Sequence, residues 1–168
     1  MIPACARLES HINLKIRQAG PADAPVVTEF NLRLAAETED LRLDPECVSA
    51  GVAAILKDPA KGLYFVAEND GHILGQVMIT YEWSDWRNGS IWWIQSVYVR
   101  PEFRRAGVFR ALFNHVQGLA RGRKDVCSIR LYVHAENTRA AQSYERLGMT
   151  KTQYEVFELD LGKEGEQP

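Results

Sequence analysis

The sequence predicts an α/β fold, a mixed central sheet with helices on both faces, and three observations point to it. Apolar patterns change period along the chain in the order strand, two helices, three strands, helix, strand, helix, strand. One of these segments, residues 90–99 (SIWWIQSVYV), is apolar on both faces, so it needs cover on each side and belongs at the centre of a sheet. The 168 residues, 46% hydrophobic and 25% charged, suit one domain that buries roughly 70% of its unfolded surface without metal or disulfide staples.

Each element has a local reason. Residues 12–17 form a first strand. Gly20-Pro21-Ala22-Asp23 is a turn, and Asp23 is placed to cap a helix running to about Glu39, with Val26 or Val27, Phe30 and Leu34 on one face. A second helix is expected over 45–57, ended by Asp58-Pro59. Residues 63–68 and 72–82 are strands joined by Asn69-Asp70-Gly71, a tight hairpin signal. After the central strand, a helix from Arg104 to about Gly122 carries Val108, Leu112, His115 or Val116, and Leu119 inward. Residues 128–134 alternate Ile129, Leu131 and Val133 against Arg130, Tyr132 and His134, a strand. A short helix spans 138–147, with Gly148 suited to its stop, and residues 154–161 are expected as a last strand. The domain is thus 12–161, between a loose leader at 1–11 and a frayed polar tail at 162–168.

Several classes of function are disfavoured. A net charge of −2 lacks the basic excess of a nucleic-acid binder. No run of 18 apolar residues spans a membrane, and the first residues do not make a secretory signal. Cys5, Cys47 and Cys127 form no C-x-x-C pair and suggest free thiols in a reducing, cytoplasmic compartment. The four histidines make no metal-binding pattern, so no metal is expected.

The segment after the central strand has the ingredients of an anion site: a strand, a glycine-containing loop and a helix start, whose first N–H groups lack intrahelical partners. Arg100, Arg104, Arg105 and Arg110 against Glu102 give a local charge of +3. Gly107 lets the backbone come close to a ligand. By composition alone the same segment also fits an ordinary basic helix start with solvated arginines.

The run VYVRPEFRRAGVFRALF resembles the acetyl-CoA signature of the GNAT family of N-acetyltransferases, [Q/R]-x-x-G-x-[G/A] after a strand ending V-x-P. Arg104 fills the first position and Gly107 the fourth, while Phe109 stands where Gly or Ala is usual. A second run, LYVHAENTRAAQSYERLGM, resembles the family's pattern N-x-x-A-x-x-x-Y-x-x-x-G-[F/M] at Asn137, Ala140, Tyr144, Gly148 and Met149. The resemblance covers residues 90–150. It implies the acyl-CoA N-acyltransferase fold, in which the central strand splays from the next parallel strand. It implies transfer of an acetyl group from acetyl-CoA to a primary amine, and commonly a homodimer.

The resemblance further implies which residues act. Backbone groups of Val97, Tyr98 and Val99 would bond the pantetheine arm and the thioester oxygen, although Val97 and Val99 also fit plain β-branched core. The loop residues Arg104, Arg105, Ala106, Gly107, Val108, Phe109 and Arg110 would hold the phosphates. Asn137 would touch the cofactor or serve as a helix cap. Tyr144 would be the general acid for the departing thiolate, where a lone Tyr at helical spacing otherwise packs in a core.

The segment YEWSDWRNGSIWWIQSVYV is similar to the branch acetylating spermidine, spermine and related diamines. That branch often carries an acid on the central strand where Gln95 stands here, so Glu82 and Asp85 are the candidate bases, or solvated loop carboxylates, and Gln95 could position a water. All four tryptophans lie within eleven residues. Trp83, Asp85, Trp86 and Trp93 are candidates to wall a pocket for a small cationic amine, or to pack against a second subunit. One of Trp92 and Trp93 must be core, because side chains alternate along a strand. The alternatives to a small-amine enzyme are a protein lysine or N-terminal acetyltransferase, and a CoA-binding sensor without turnover.

Overall fold

The computed structural model describes residues 13–161. The expected leader and tail, and Ile12, lie outside the described residues. A short β1, Lys15–Gln18, leads through a 3-10 turn at Pro21–Asp23 into α1, Ala24–Thr38, and α2, Pro45–Lys57. The strands β2, Leu63–Asn69, β3, His72–Ser84, and β4, Gly89–Val99, follow, then a second 3-10 turn at Pro101–Phe103. The remaining elements are α3, Val108–Arg121, β5, Val126–Leu131, and α4, Thr138–Arg146. The sheet order is β1-β2-β3-β4-β5, antiparallel except for the parallel pair β4–β5. No described helix is long and apolar enough to cross a membrane.

Side-chain alternation builds two cores. One face of the sheet, with Phe65, Ala67, Val77, Ile79, Trp92 and Ile94, is covered by Val108, Leu112, Phe113 and Val116 of α3. The other face, with Tyr64, Val66 and Met78, is covered by Val27 of α1 and Val52 of α2. Asp44 caps α2 by accepting from the Glu46 and Cys47 amides. Asp70 and Gly71, with φ of 48° and 78°, form the two-residue hairpin turn that needs positive φ twice.

The sequence expectations are corrected at five places. Asp23 sits at the start of α1 without capping it; its carboxylate accepts instead from Gly20 N at 2.8 Å and from Arg17 at 2.7 Å, fastening β1 to the helix entrance. Arg17 is its strongest partner and lowers its pKa. The third helix starts at Val108 instead of Arg104, because Arg105 and Gly107 take positive φ of 70° and 86°. Its buried stripe is Val108, Leu112, Phe113, Val116 and Ala120, which leaves Leu119 at the border, 40% exposed. The fifth strand begins and ends earlier than its alternation suggested, at Val126 and Leu131. Residues 154–161 form no strand. Tyr154, Val156, Phe157, Leu159 and Leu161 lie exposed. Alternation supplies a pattern, but a strand exists only where its backbone joins a ladder, and this segment joins none of the described strands.

The sheet is interrupted where the ligand chemistry is expected. Gln76 pairs with Tyr98 and Met78 with Gln95, so β4 spends three residues where β3 spends two. That bulge centres on Ser96, whose φ is +48°. The pairing with β5 stops at Ile94↔Leu131. Residues 95–99 therefore part from β5 and keep one edge open. Gly75 of β3 makes the arrangement compact: a Cβ there would stand 2.7 Å from the Tyr98 carbonyl and 3.2 Å from Val108.

Candidate active site

The loop from Arg100 to Gly107 is shaped by backbone conformation. Positive φ at Arg105 and Gly107 makes turns that bring successive N–H groups to the concave side. A Cβ on Gly107 would meet nothing within 4 Å, so its φ, and not crowding, is what calls for glycine. Gly107 offers no side-chain cap to α3, and the first helical bond of α3 is Ala111 N to Gly107 O. The amides of Val108, Phe109 and Arg110 are thus left without helical acceptors at the positive end of the helix dipole.

The four arginines of this segment divide into two pairs. Arg104 Nε donates to the Val99 carbonyl at 2.9 Å, and its terminal nitrogen pairs with Glu37 at the end of α1. Arg104 lowers the Glu37 pKa, and Glu37 also accepts from the Tyr98 phenol at 2.8 Å. Arg100 Nε donates to the Ile73 carbonyl at 3.0 Å and its guanidinium lies over the Phe30 ring. These two brace β4 against α1 and β3. Arg105 and Arg110 are left for a ligand.

Helix α4 supplies the other wall. Asn137 caps it, its Oδ1 accepting from Ala140 N at 3.0 Å. Its carboxamide nitrogen stays available to donate, so the cap and a ligand contact are compatible. Tyr144 stands edge-on to Phe109, with ring centroids 5.7 Å apart. Burial pushes its phenol pKa up. The Phe109 ring, at a position where a small residue is usual, is turned toward Phe113 and Tyr144.

The open edge, the loop and α4 enclose one cavity of about 970 Å³. Its lining includes Val97, Val99, Arg104, Arg105, Gly107, Val108, Phe109, Arg110, Asn137 and Tyr144, all named from the sequence. Ala106 is absent from it, and the Tyr98 side chain is buried on the opposite face against Phe30. The sequence reading missed Phe103, Arg139, Ser143 and Arg146, which also line the cavity. The spacing of Arg139, Ser143 and Arg146, four and then three residues apart, was the available signal, since such residues share a helix face. Five arginines and no carboxylate face this space, which suits a polyanionic, extended ligand.

The other face of β4 gathers a polar aromatic cluster. Trp93 Nε1 donates to Glu82 at 2.6 Å, and its ring stacks on Tyr132 with centroids 4.3 Å apart. Arg130 lies over the Trp93 ring and approaches Glu82 at 3.5 Å. Glu82 is therefore already engaged by two donors. Trp93 lies four residues, about 13 Å, up the strand from Val97. Gln95 donates through Nε2 to Thr80 Oγ1 at 2.6 Å, which leaves its carboxamide oxygen to accept from water. Trp92 is the core member of the pair, 5% exposed.

Trp83, Asp85 and Trp86 are not brought to this place. Trp83 pairs with Ser90 at the hairpin end, about 23 Å of strand away from Val97. It is 63% exposed and Trp86 is 91% exposed. A second cavity, about 730 Å³, lies under Tyr81, Trp92 and His115 and contains none of the residues named above as site candidates.

Comparison with known proteins agrees with this geometry. The acetyltransferase (GNAT) family profile matches residues 29–149. A crystal structure of a possible acetyltransferase from Clostridium difficile 630 is 41% identical, with a TM-score of 0.84 over 89% of this chain and 99% of that one. An acetyltransferase of Clostridium acetobutylicum solved with acetyl-CoA is 17% identical, with a TM-score of 0.72 over 88% of this chain and 96% of that one. An aminoglycoside N-acetyltransferase in complex with CoA is 20% identical, with a TM-score of 0.72 over 89% of this chain and 96% of that one. No curated protein sequence gives a significant match. A parted β4 edge, a basic loop opening α3 and a profile match across most of the domain lead to one assignment: this chain belongs to the GNAT family and is an acetyl-CoA-dependent acetyltransferase.

Proposed function

We propose that the chain acetylates the primary amine of a small cationic acceptor of the diamine or polyamine class. The observation that carries the cofactor half is the cavity joining the open β4 edge, the uncapped start of α3 and Tyr144. In this reading the amides of Val108, Phe109 and Arg110, with Arg105, Arg110, Arg139 and Arg146, hold the phosphates of CoA. The main chain of Val97 and Val99 bonds the pantetheine arm, and the Val97 amide faces the carbonyl oxygen as an oxyanion-type donor. Bound acetyl-CoA supplies the activated acetyl group. Tyr144, kept protonated by burial, gives the proton that the sulfur needs on leaving.

The attacking amine must first lose a proton, because an alkylammonium has a pKa of ~10.4. Gln95, fixed by Thr80, orients a water to take that proton. Glu82 serves better as an anchor than as a direct base, since it is committed to Trp93 and Arg130 and lies well up the strand. A cation about 13 Å from the reacting nitrogen would meet this carboxylate and the Trp93–Tyr132 pair, a spacing that favours a long diamine.

Trp83, Asp85 and Trp86, remote from the edge, are assigned to contact between subunits of a homodimer. The exposed apolar segment 154–161 supports the same assembly. Exposed free thiols at Cys47 and Cys127 support a cytoplasmic location. The deciding experiment is a CoA-release screen against polyamines, amino acids, aminoglycosides and a lysine peptide. Diamines and polyamines should turn over fastest; preference for the peptide would make the chain a protein acetyltransferase. Turnover of none, with CoA still bound, would make it a sensor. Native mass spectrometry should give a dimer.

A further inference from the structure

We infer that Gln76, a residue with no place in either sequence motif, is the positioning residue that sets the carbonyl-binding amide of β4. This rests on the reading above, in which the Val97 amide receives the thioester oxygen. Gln76 is the one polar side chain among the described residues that is fully buried. It stands on β3 beside the bulge, opposite Tyr98. Its Nε2 donates to the Ser96 carbonyl at 3.3 Å and to Asn31 Oδ1 at 2.7 Å. Asn31 in turn donates to the Tyr64 phenol at 2.9 Å, tying the group to α1 and β2. Burial raises the Tyr64 pKa, and polar contacts with Asn31 and Ser96 partly offset it. The Gln76 Oε1 has no partner.

A buried amide with an orphaned oxygen is costly, and an apolar side chain of the same size would pack at this position without that cost. What Gln76 provides is a hold on Ser96, a non-glycine residue at positive φ in mid-strand. The Ser96 carbonyl and the Val97 amide belong to the same peptide unit. That unit is planar, so fixing the carbonyl fixes the direction of the N–H. Gln76 reaches it from the α1 and α2 side, while the cavity receives the N–H side of the open edge. The polar network behind the bulge therefore aims the donor in front of it.

The test compares wild type, Gln76→Leu, Ser96→Gly and the double variant. Gln76→Leu should leave CoA affinity by calorimetry unchanged, because the phosphate loop is untouched. It should lower kcat by about tenfold, the worth of one well-aimed hydrogen bond, and speed hydrogen exchange at the amides of residues 95–99 in the free protein. Isotope-edited infrared spectra of bound acetyl-CoA should show the carbonyl shifted in wild type and less shifted in Gln76→Leu. Ser96→Gly, which adopts positive φ without help, should restore most of the loss in the double variant. Unchanged kcat and carbonyl shift in Gln76→Leu, or no rescue by Ser96→Gly, overturns the proposal while the cofactor site stands. No carbonyl shift in wild type overturns the site reading itself. If Gln76→Leu does not fold, Gln76→Met and Asn31→Ala carry the same readouts.

Discussion

Along β4, residues 90–94 have a neighbour on both edges, whereas residues 95–99 are paired with β3 alone. The first half uses its side chains: Ile91, Trp92 and Ile94 are buried, and Trp93 is stacked and hydrogen-bonded. The second half uses its main chain, which lines the cavity at Val97 and Val99. One extra residue at Ser96 separates the two regimes. A strand can thus be a core element and a binding edge at once, provided the sheet is opened at a defined point. The same division holds among charges. Both Arg104 and Arg105 line the cavity, but Arg104 is also held by Val99 and Glu37, a brace that Arg105, its neighbour in sequence, is not given.

The contrast can be challenged from the site outward. Tyr144→Phe should lower kcat by about 10²- to 10⁴-fold, the range for losing a general acid, with CoA affinity intact by calorimetry. Because burial raises the Tyr144 pKa, wild-type kcat should show no alkaline fall caused by this group until pH rises above 10, and the fall should be absent from the variant. Arg105→Ala should weaken CoA binding about tenfold or more, in keeping with a lost charged hydrogen bond. Arg104→Gln should act mainly on thermal stability and on kcat, since its partners are Val99 and Glu37. Equal losses of CoA affinity in these two variants would erase the distinction drawn between the arginines.

A smaller effect is expected at Glu37. Its pKa is lowered in the folded protein from an ordinary 4.5, chiefly by Arg104. The stabilisation is therefore present at neutral pH and is lost as pH falls through the lowered value. Glu37→Gln should lower Tm slightly at pH 7 and match wild type in acid. With 35% of its side chain exposed, solvent screens the pair and the shift is modest. Smallest of all, Trp86→Ala should change stability by less than about 0.5 kcal/mol and leave acceptor KM unchanged, while weakening the proposed dimer by native mass spectrometry. A raised KM would bring the hairpin end back into acceptor binding.

What could be read from the sequence was local. The turn at Asp70 and Gly71 and the span and stop of α2 depend on neighbours in the chain, and they fall where their residue types place them. The two motif segments also meet, since a strand, a loop and a helix carry their own geometry. What escaped was set by distant partners. Glu37, 67 residues from Arg104, decides where that guanidinium points. The bulge at Ser96 is invisible in SIWWIQSVYV, because its support comes from Gln76 and Asn31 on other elements. Residues 154–161 alternate as a strand should, yet they join no ladder of the sheet, and pattern by itself does not supply that pairing. The tryptophans stay at one end of the β3–β4 hairpin but differ in burial, Trp92 being core while Trp83 and Trp86 are exposed, because side chains near a hairpin tip outrun the helices that cover the sheet.

Helix α4 carries a further consequence. It has nine residues, none of them fully buried, and a single side-chain cap at Asn137. Helices this short are marginal by themselves, and this one leans on the domain through Tyr144, Leu147 and Met149. Its anchoring surface is the same surface that receives the cofactor. The proposed acid, Tyr144, therefore sits on a marginal helix among the described residues, and ligand concentration becomes a folding variable. Saturating CoA should raise the melting temperature and should protect α4 from proteolysis before any other helix, so that the chain tightens around its acyl donor before it meets an amine.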